Sequence, residues 1–256
     1  MNAYEFYEKL NELYPESLSS PWDNDGIMAS CGGATEIFRV LVALDATESA
    51  VNYAAEKGFD VILTHHPLVF HKLGAVTPED NVPRKIIYSL LNGVTVISLH
   101  TRLDAGEGGV NDCLADALGL SDVEAFGDDE APTLGRTGLL PKRMSARDFA
   151  LLVKERLSCR AVRLSALGDE TVERVAVVGG AGMDFASAAK AVGADVLVTG
   201  EAGYNDMIDS AENGLPVVEA GHYETEAVVL PHLAGLAKKI TGAECEIFPY
   251  TPEVTI

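Results

Sequence analysis

The segment RVLVALDATESAVNYAAEKGFDVILT, residues 39–64, decides the fold. It opens with an apolar run from Arg39 to Leu44, which is typical of a strand buried on both faces. The spacing from Glu48 to Lys57 predicts a helix, and Gly58 directly after it suits the left-handed turn that ends many helices. A second apolar strand follows at Val61 to Leu63. The segment therefore predicts two parallel strands joined by a right-handed helical crossover.

The same alternation continues on both sides of this segment. A helix is predicted at Tyr4 to Leu13, and another at about Pro83 to Asn92, with Gly93 after it. The apolar strand Val94 to Leu99 then ends at His100. The amino-terminal part of the chain is therefore predicted to form a mainly parallel sheet flanked by helices.

The pattern returns later in the chain. Residues 174–199 align with residues 39–64 without gaps, and nine of the 26 positions are identical: Arg39, Val40, Val42, Ala46, Ala54, Gly58, Asp60, Val61 and Thr64. Residues 214–221 match residues 93–100 in the same way, with a glycine before an apolar strand. Duplication would explain the match, and so would a shared architecture without duplication. Both interpretations predict two similar α/β halves.

A junction between the halves is predicted at Ser121 to Thr133, which is acidic and interrupted by a glycine and a proline. We assign residues 1–124 and 215–256 to a first α/β domain that carries most of the candidate ligands. Residues 125–214 are assigned to a second, inserted α/β domain. The predicted fold class is α/β, with two similar halves of mainly parallel sheets flanked by helices.

The overall charge restricts the partners of the protein. Its 256 residues include 39 acidic and 19 basic side chains, which gives a formal net charge of −20. Such a surface repels phosphate backbones and anionic lipid, so nucleic-acid and membrane partners are not expected. A small anionic substrate would need a local positive centre, which bound metal would supply.

Three features favour a cytoplasmic location. No apolar run reaches the ~20 residues of a transmembrane helix. Residues 1–10 lack the apolar stretch of a signal peptide. The cysteines lie far apart in sequence and are expected to be reduced and mostly buried thiols; they are Cys31, Cys113, Cys159 and Cys245.

Histidines follow the predicted strands at their carboxyl ends. His65 and His66 come directly after one strand, His100 after another and His222 after a third, and the chain has six histidines in all. Binding sites in parallel sheets form beyond these strand ends. A hydrogen-bonded core role is the alternative for the pair at residues 65–66. A strand that breaks before Pro67 would instead let the two imidazoles face two adjacent ions.

Two carboxylates complete the predicted metal site. Asp104 lies four residues after His100, and Glu226 lies four residues after His222, on the same face of a helix if one has begun. Imidazole and carboxylate ligands without thiolate suit Zn, Fe, Mn, Ni or Co. We therefore predict two divalent metal ions, with Asp104 and Glu226 as bridging candidates, held by His65, His66, Asp104, His222 and Glu226. Because the ligands come from both halves, the site is expected where the halves dock.

Other polar residues near these strand ends have more than one interpretation. His100 and Tyr223 are candidates for moving a proton during catalysis. Asn111 and Asp112 follow a glycine-rich loop and suit a functional role or ordinary helix caps equally well. The loop itself lacks the Gly-Lys-Ser/Thr ending of a phosphate-binding loop.

Several motifs together resemble the NIF-three-like dinuclear metal centre family, many of whose bacterial members are labelled GTP cyclohydrolase I type 2 homologues. The motifs are WDNDGI at residues 22–27, RVLVALDAT at 39–47, THHPL at 64–68, HTRLD at 100–104, GGVND at 108–112, TGE at 199–201 and GHYETE at 221–226. They follow the family's order, and the match covers nearly the whole chain.

The resemblance implies the NIF-three-like fold in its short form, the same five metal ligands, and a toroidal homohexamer whose metal sites face an inner cavity. Some positions depart from the family's pattern. Arg102 stands where Asn is frequent and would place a cation near the site. Asp25 stands where an apolar residue is common, and Tyr204-Asn205 replaces a stretch that is often rich in histidine.

Three functions fit this chain. The first is a metal-dependent hydrolase of a small phosphorylated or nucleotide-like substrate, with GTP cyclohydrolase activity implied by the resemblance alone. The second is a non-enzymatic protein that handles or delivers metal. The third is an interaction scaffold built on the hexamer. Five ligands for two ions leave coordination positions open, which favours catalysis or exchange over a purely structural role.

Overall fold

Eleven strands and ten helices lie in the described part of the chain, residues 1–33 and 36–249 of a computed structural model. The strands are β1 (Gly26–Ala29), β2 (Arg39–Ala43), β3 (Val61–Thr64), β4 (Thr95–Ser98), β5 (Ser121–Phe126), β6 (Gly135–Ser145), β7 (Arg163–Ser165), β8 (Thr171–Val178), β9 (Val196–Thr199), β10 (Val217–Glu219) and β11 (Glu244–Ile247). The helices are α1 (Ala3–Leu13), α2 (Glu48–Lys57), α3 (Asn81–Leu91), α4 (Thr101–Ala105), α5 (Val110–Ala117), α6 (Ala146–Arg156), α7 (Ala186–Ala191), α8 (Tyr204–Glu212), α9 (His222–Glu226) and α10 (Leu230–Thr241). None of these described helices has the length and apolarity needed to cross a membrane.

The first of two compact units contains residues 1–103 and 230–249. Its five-stranded sheet has the order β1-β4-β3-β2-β11. β4, β3, β2 and β11 pair in parallel, whereas β1 pairs antiparallel with β4. The predicted β2-α2-β3 crossover and the mainly parallel sheet are therefore confirmed for this unit.

The crossover helix α2 has the ends that the sequence predicts. The Thr47 side chain accepts a hydrogen bond from the backbone N–H of Ala50 at 3.1 Å, which caps the first turn. Gly58 follows the last turn with φ +70, in the left-handed region. Between these ends, the buried face of α2 packs on apolar side chains of β2 and β3. The regularly spaced apolar residues of α2 therefore lie in the core of the first unit.

The second unit, Asp104–Val229, contains a six-stranded sheet of order β5-β6-β8-β9-β10-β7. β8, β9 and β10 are parallel, as the repeat predicts. β5, β6 and β7 add three antiparallel pairings toward the two edges. Parallel pairing in this sheet is confined to β8, β9 and β10, and a short loop rather than a helical crossover joins the antiparallel neighbours β5 and β6.

Both faces of the second sheet are covered by apolar side chains. Val175 and Val177 of β8 face one cluster, which includes Phe149 of α6. The alternate residues Ala176 and Val178 face another cluster, together with side chains of α7 and α8. A strand covered on both faces has no polar side, which explains why residues 175–178 form an apolar run.

The two copies of the repeat form equivalent hydrogen bonds, in addition to having identical residues. Asp60 lies just before β3, and its Oδ2 accepts bonds from the backbone N–H groups of Phe38 and Arg39 at 2.8 and 2.9 Å. Asp195, its counterpart before β9, accepts bonds from the two equivalent N–H groups in β8 at 2.9 and 2.8 Å. The identical aspartates join equivalent pairs of strands. Part of the sequence identity therefore has a structural cause.

The boundaries of the two units differ from the predicted domain boundaries. Residues 104–124 and 215–229, predicted for the first domain, group with the second unit. The reason is packing, since Leu114 of α5 belongs to the core of the second sheet and β10 pairs with β9. Residues 250–256 of the predicted first domain lie outside the described residues.

The cysteines are free thiols, as expected for a reduced protein. Cys159 is buried, Cys113 and Cys245 are partly buried, and Cys31 is exposed, so the expectation of mostly buried thiols holds only in part. Burial raises the pKa of Cys113 and Cys159 to about 11. Both side chains therefore stay in the unreactive thiol form at neutral pH.

Candidate metal site

The histidine pair follows β3 at a break in the strand. Thr64 Oγ1 donates to the carbonyl of His66 at 2.8 Å. The backbone N–H of His66 donates to the carbonyl of Leu44 at 2.9 Å. These bonds bend the chain, so the rings of His65 and His66 lie 4.9 Å apart instead of pointing to opposite faces of a strand. The break that the sequence suggests before Pro67 is therefore present.

Each imidazole of this pair is held through its Nδ1 atom. His65 is buried, and its Nδ1–H donates to the Leu99 carbonyl at 2.9 Å. His66 Nδ1–H donates to Asp45 Oδ1 at 2.9 Å. Carbonyl and carboxylate oxygens only accept, so the neutral rings carry the proton on Nδ1 and the lone pair on Nε2. Histidines that bind metals are commonly oriented in this way.

His100 is oriented by a buried carboxylate. Its Nδ1–H donates to Asp23 Oδ1 at 2.7 Å, and Asp23 Oδ2 accepts from the backbone N–H and the hydroxyl of Thr101 at 3.0 and 2.5 Å. Burial alone would raise the pKa of Asp23, but the bonds from His100 and Thr101 outweigh burial and lower the pKa to about 2. Asp23 is therefore ionised at neutral pH and fixes the tautomer of His100.

Three of the histidines in the first unit form one cluster. The ring centroids of His65, His66 and His100 lie 4.9 to 5.7 Å apart. One nitrogen of each ring lies within 4.8 Å of the others, a spacing that suits a shared metal ion. The structure thus places His100, predicted as a proton carrier, beside two of the predicted ligands.

In the second unit, His222 and Glu226 lie on the short helix α9, which begins at His222. Nδ1–H of His222 donates to Glu201 Oε1 at 2.7 Å, and Nε2 lies 3.1 Å from Glu226 Oε2. Imidazole nitrogen and carboxylate oxygen atoms are donors that suit divalent transition metals. The distance of 3.1 Å also matches two neighbouring ligands of one ion when each bond is ~2.1 Å long.

Two loops of the second unit approach this ligand pair closely because they contain glycine. Gly180 has φ +62, and a Cβ there would lie 2.2 Å from Glu226 Oε1. A Cβ on Gly200 would lie 2.7 Å from the Cα of His222. The Gly180 N–H also donates to Thr225 Oγ1 at 3.1 Å, which connects the loop after β8 to α9. Glycine is therefore needed at both positions.

The remaining candidate ligand, Asp104, lies in α4 and is buried. Nearby, Asn111 Oδ1 accepts a bond from the N–H of Gly179 at 2.8 Å. The carboxylate of Asp112 forms an ion pair with the nearly buried Arg136 at 2.5 Å. Of the two interpretations open for Asn111 and Asp112, these bonds support the structural one.

Arg102 directs its charge at Asp25, whose Oδ2 also accepts a bond from the backbone N–H of His100 at 3.3 Å. Its guanidinium is fully buried and forms two bonds of 2.8 Å with the carboxylate of Asp25. Further bonds of 3.0 to 3.2 Å run to the Asn11 side chain, the Tyr14 carbonyl and the Tyr7 hydroxyl. The two departures from the family's pattern therefore pair with each other. Together they anchor α1 beneath the loop that contains Asp25.

The second predicted proton carrier, Tyr223, lines a different cavity from its neighbour His222. Tyr223 lines a cavity of about 400 Å³ with Arg156, the last residue of α6, and with residues that follow this helix. His222 lines an open cavity of about 580 Å³ with Glu201. The exposed Tyr204 begins α8, where relatives were expected to carry histidines. At this edge, the Glu201 carboxylate accepts the hydrogen bond from Nδ1–H of His222.

Three carboxylates that orient the histidines were not predicted in that role: Asp23, Asp45 and Glu201. A signal existed for two of them, because Asp45 and Glu201 each lie two residues past a buried strand, β2 and β9. They occupy the same kind of position as the candidate ligands. Asp23 lies in a loop far from His100 in sequence, and no periodicity connects the two.

The protein contains two sheets, and oriented histidines and carboxylates lie at the ends of their strands. These side chains form groups that can hold a metal ion, which defines the class of protein. The model of the Duf34/NIF3 family (NGG1p interacting factor 3) matches residues 1–252. The chain belongs to this family. The predicted family and the predicted α/β fold are both confirmed.

Individual relatives agree with this assignment. A Clostridium perfringens protein named GTP cyclohydrolase 1 type 2 homolog is 32% identical over 240 residues, which cover 93% of this chain and 91% of that protein. A Deinococcus radiodurans protein of the same name is 35% identical over 204 residues, covering 79% and 76% of the two chains. The crystal structure of a hypothetical protein from Staphylococcus aureus superposes with a TM-score of 0.93 at 25% identity, covering 100% and 99%.

Proposed function

We propose that this protein binds two divalent metal ions through His65, His66, Asp104, His222 and Glu226. One observation carries the proposal: each of these three histidines donates its Nδ1–H to a carbonyl or carboxylate oxygen, the orientation that is common among histidines that bind metals through Nε2. Asp104 and Glu226 are buried, and each adds a carboxylate oxygen, a donor that suits divalent cations. This donor set fits Zn, Fe, Mn, Ni or Co.

We further propose that the chain is a hydrolase of a small phosphorylated or nucleotide-like substrate. A pair of divalent ions supplies Lewis-acid activation of water and stabilises negative charge on the reacting group. The relatives named GTP cyclohydrolase 1 type 2 homolog support a nucleotide-like substrate through their names. The net charge of −20 supports a metal-dependent reaction, since an anionic substrate needs local positive charge to bind.

His100 carries the proton in this proposal. Asp23 holds the Nδ1–H of His100 at 2.7 Å, which orients the ring and makes Nε2 the acceptor nitrogen of the neutral imidazole. The ring lies beside the candidate ligands His65 and His66. Its Nε2 is therefore suited to accept a proton from an attacking water and to return it to the leaving group.

His100→Gln is expected to lower kcat about 100-fold or more, because a glutamine side chain cannot accept and return a proton. The measurement is turnover of a panel of nucleotides and phosphate esters by metal-replete protein. His232→Gln is the matched control, since His232 contacts the Tyr14 hydroxyl at 3.0 Å and belongs to no predicted site. An unchanged kcat in His100→Gln would contradict the role of His100.

The alternatives give different results in the same experiment. A protein that delivers metal would exchange its ions rapidly and turn over no member of the panel. The homohexamer implied by the resemblance is also a proposal for this chain, and light scattering on the purified protein tests it. Loss of the hexamer in a metal-depleted sample without any turnover in the replete one would favour the scaffold role.

A further inference from the structure

Three aromatic rings meet at an exposed place on the first unit. The ring centroids of Trp22, Phe70 and His100 lie 6.0 to 6.2 Å apart. Their planes are inclined to one another by 70° to 90°, so each of these contacts is edge to face. No two of the three rings stack face to face.

Polar bonds hold the loops that carry Trp22 and Phe70. Trp22 directly precedes Asp23, whose buried carboxylate holds both His100 and Thr101. The Asn24 side chain donates to the carbonyl of Val69, next to Phe70. The loop that carries Trp22 and the loop that carries Phe70 are therefore joined to each other and to the histidine cluster.

The two hydrocarbon rings are exposed despite this anchoring. Trp22 is 60% exposed and Phe70 is 42% exposed. Single exposed apolar residues are common, whereas aromatic side chains grouped beside a few polar groups are frequent in ligand sites. Phe70 also lies in the long connection between β3 and α3, residues 65–80, and long connections without secondary structure are usually functional.

We propose that Trp22 and Phe70 form a binding subsite for the flat heteroaromatic ring of the substrate, of the size of a purine. The ring stacks on the indole of Trp22, and the rest of the ligand extends past His100 toward His65 and His66. The inference rests on the proposed function only for the part of the ligand that reacts, because the ring can bind whether or not the ligand is turned over. It assigns to the aromatic pair the part of the substrate that does not react.

The electrostatics favour a neutral ring over an organic cation at this place. Aromatic groups also bind cations, and such sites are strengthened by a nearby carboxylate. The carboxylate here, Asp23, is fully buried as a side chain and already accepts bonds from His100 and Thr101. It is therefore engaged within the protein, whereas stacking needs exposed aromatic surface, and Trp22 is 60% exposed.

The chain's single tryptophan makes the subsite directly observable. Guanosine monophosphate added to metal-replete protein is expected to quench the fluorescence of Trp22 in a saturable way. Adenosine monophosphate should quench similarly, because every base has a π-face. Ribose 5-phosphate, which has no ring to stack, should leave the emission unchanged even where it binds through its phosphate.

Calorimetry on variants separates stacking from other causes of the fluorescence change, because it measures the binding affinity directly. Trp22→Ala is expected to weaken guanosine monophosphate binding by roughly 10-fold or more, and Trp22→Phe by less, since a smaller ring still stacks. Phe70→Ala should also weaken binding. Phe38→Ala is the matched control, because Phe38 is 65% exposed but precedes β2, at the opposite end of that strand from the candidate ligands.

The outcomes also separate this inference from the proposed hydrolase. Saturable ring binding without turnover would uphold the subsite and count against the hydrolase. Equal quenching by ribose 5-phosphate, or equal affinity in Trp22→Ala and wild type, would overturn the subsite. A changed oligomeric state in Trp22→Ala with unaltered nucleotide binding would also overturn it, because the aromatic pair would then be a subunit contact.

Discussion

Arg102→Met is expected to lower the free energy of unfolding by about 3–5 kcal/mol, the cost of breaking a buried ion pair by removing one partner. Methionine approximates the length of the side chain but leaves the Asp25 carboxylate, 6% exposed, without its two charged bonds. The Asn11 side chain and the Tyr14 carbonyl also lose their donor. Urea denaturation followed by circular dichroism measures the effect.

A double variant tests whether the penalty comes from the unpaired charge. Arg102→Met combined with Asp25→Leu is expected to recover most of the lost stability, because an apolar pair of similar volume often equals a buried ion pair. Trp22 fluorescence should remain native in the double variant. If Arg102→Met costs less than about 1 kcal/mol, the value typical of an exposed ion pair, the pair does not anchor α1 as described.

Gly180→Ala is expected to weaken metal binding about 10- to 100-fold, the usual effect of displacing a group that positions a ligand. The added Cβ would lie 2.2 Å from Glu226 Oε1 and 3.3 Å from His222 Nε2, so the Glu226 carboxylate must move. The left-handed φ of +62 adds strain for any residue with a Cβ. Titration with zinc or manganese, followed by calorimetry, gives the change in affinity.

Gly193→Ala separates the clash from the backbone strain. Gly193 has φ +78, and a Cβ there would meet nothing within 4 Å. Both substitutions should therefore destabilise the fold by about 1 kcal/mol, but Gly193→Ala should leave metal affinity unchanged. Equal metal affinity in the two variants would show that the Gly180 loop does not position Glu226.

Patterns confined to short stretches of sequence predicted the first unit well. β2, α2 and β3 were predictable because buried parallel strands are continuously apolar, and because Gly58 marks the helix end. The same reasoning found the parallel centre of the second sheet, where Val175 to Val178 are covered on both faces. The placing of histidines at strand ends followed from that topology, since the carboxyl ends of parallel strands share one edge.

Features that depend on distant residues were not predictable from such patterns. The pairing of Arg102 with Asp25 joins residues 77 positions apart, and so does that of His100 with Asp23. The antiparallel strand β6 contains Pro141 followed by two basic residues, which hides its strand character. In each case the structure depends on tertiary contacts that no local periodicity encodes.

Metal analysis of the purified chain by plasma mass spectrometry tests the central claim most directly. Metal-replete wild-type protein is predicted to hold two divalent ions per chain. His66→Ala and Glu226→Ala should each lose metal while their circular-dichroism spectra stay native, and His232→Ala should keep the wild-type content. If both His66→Ala and Glu226→Ala retain two ions per chain, these side chains are not the ligands and the account of the site is wrong.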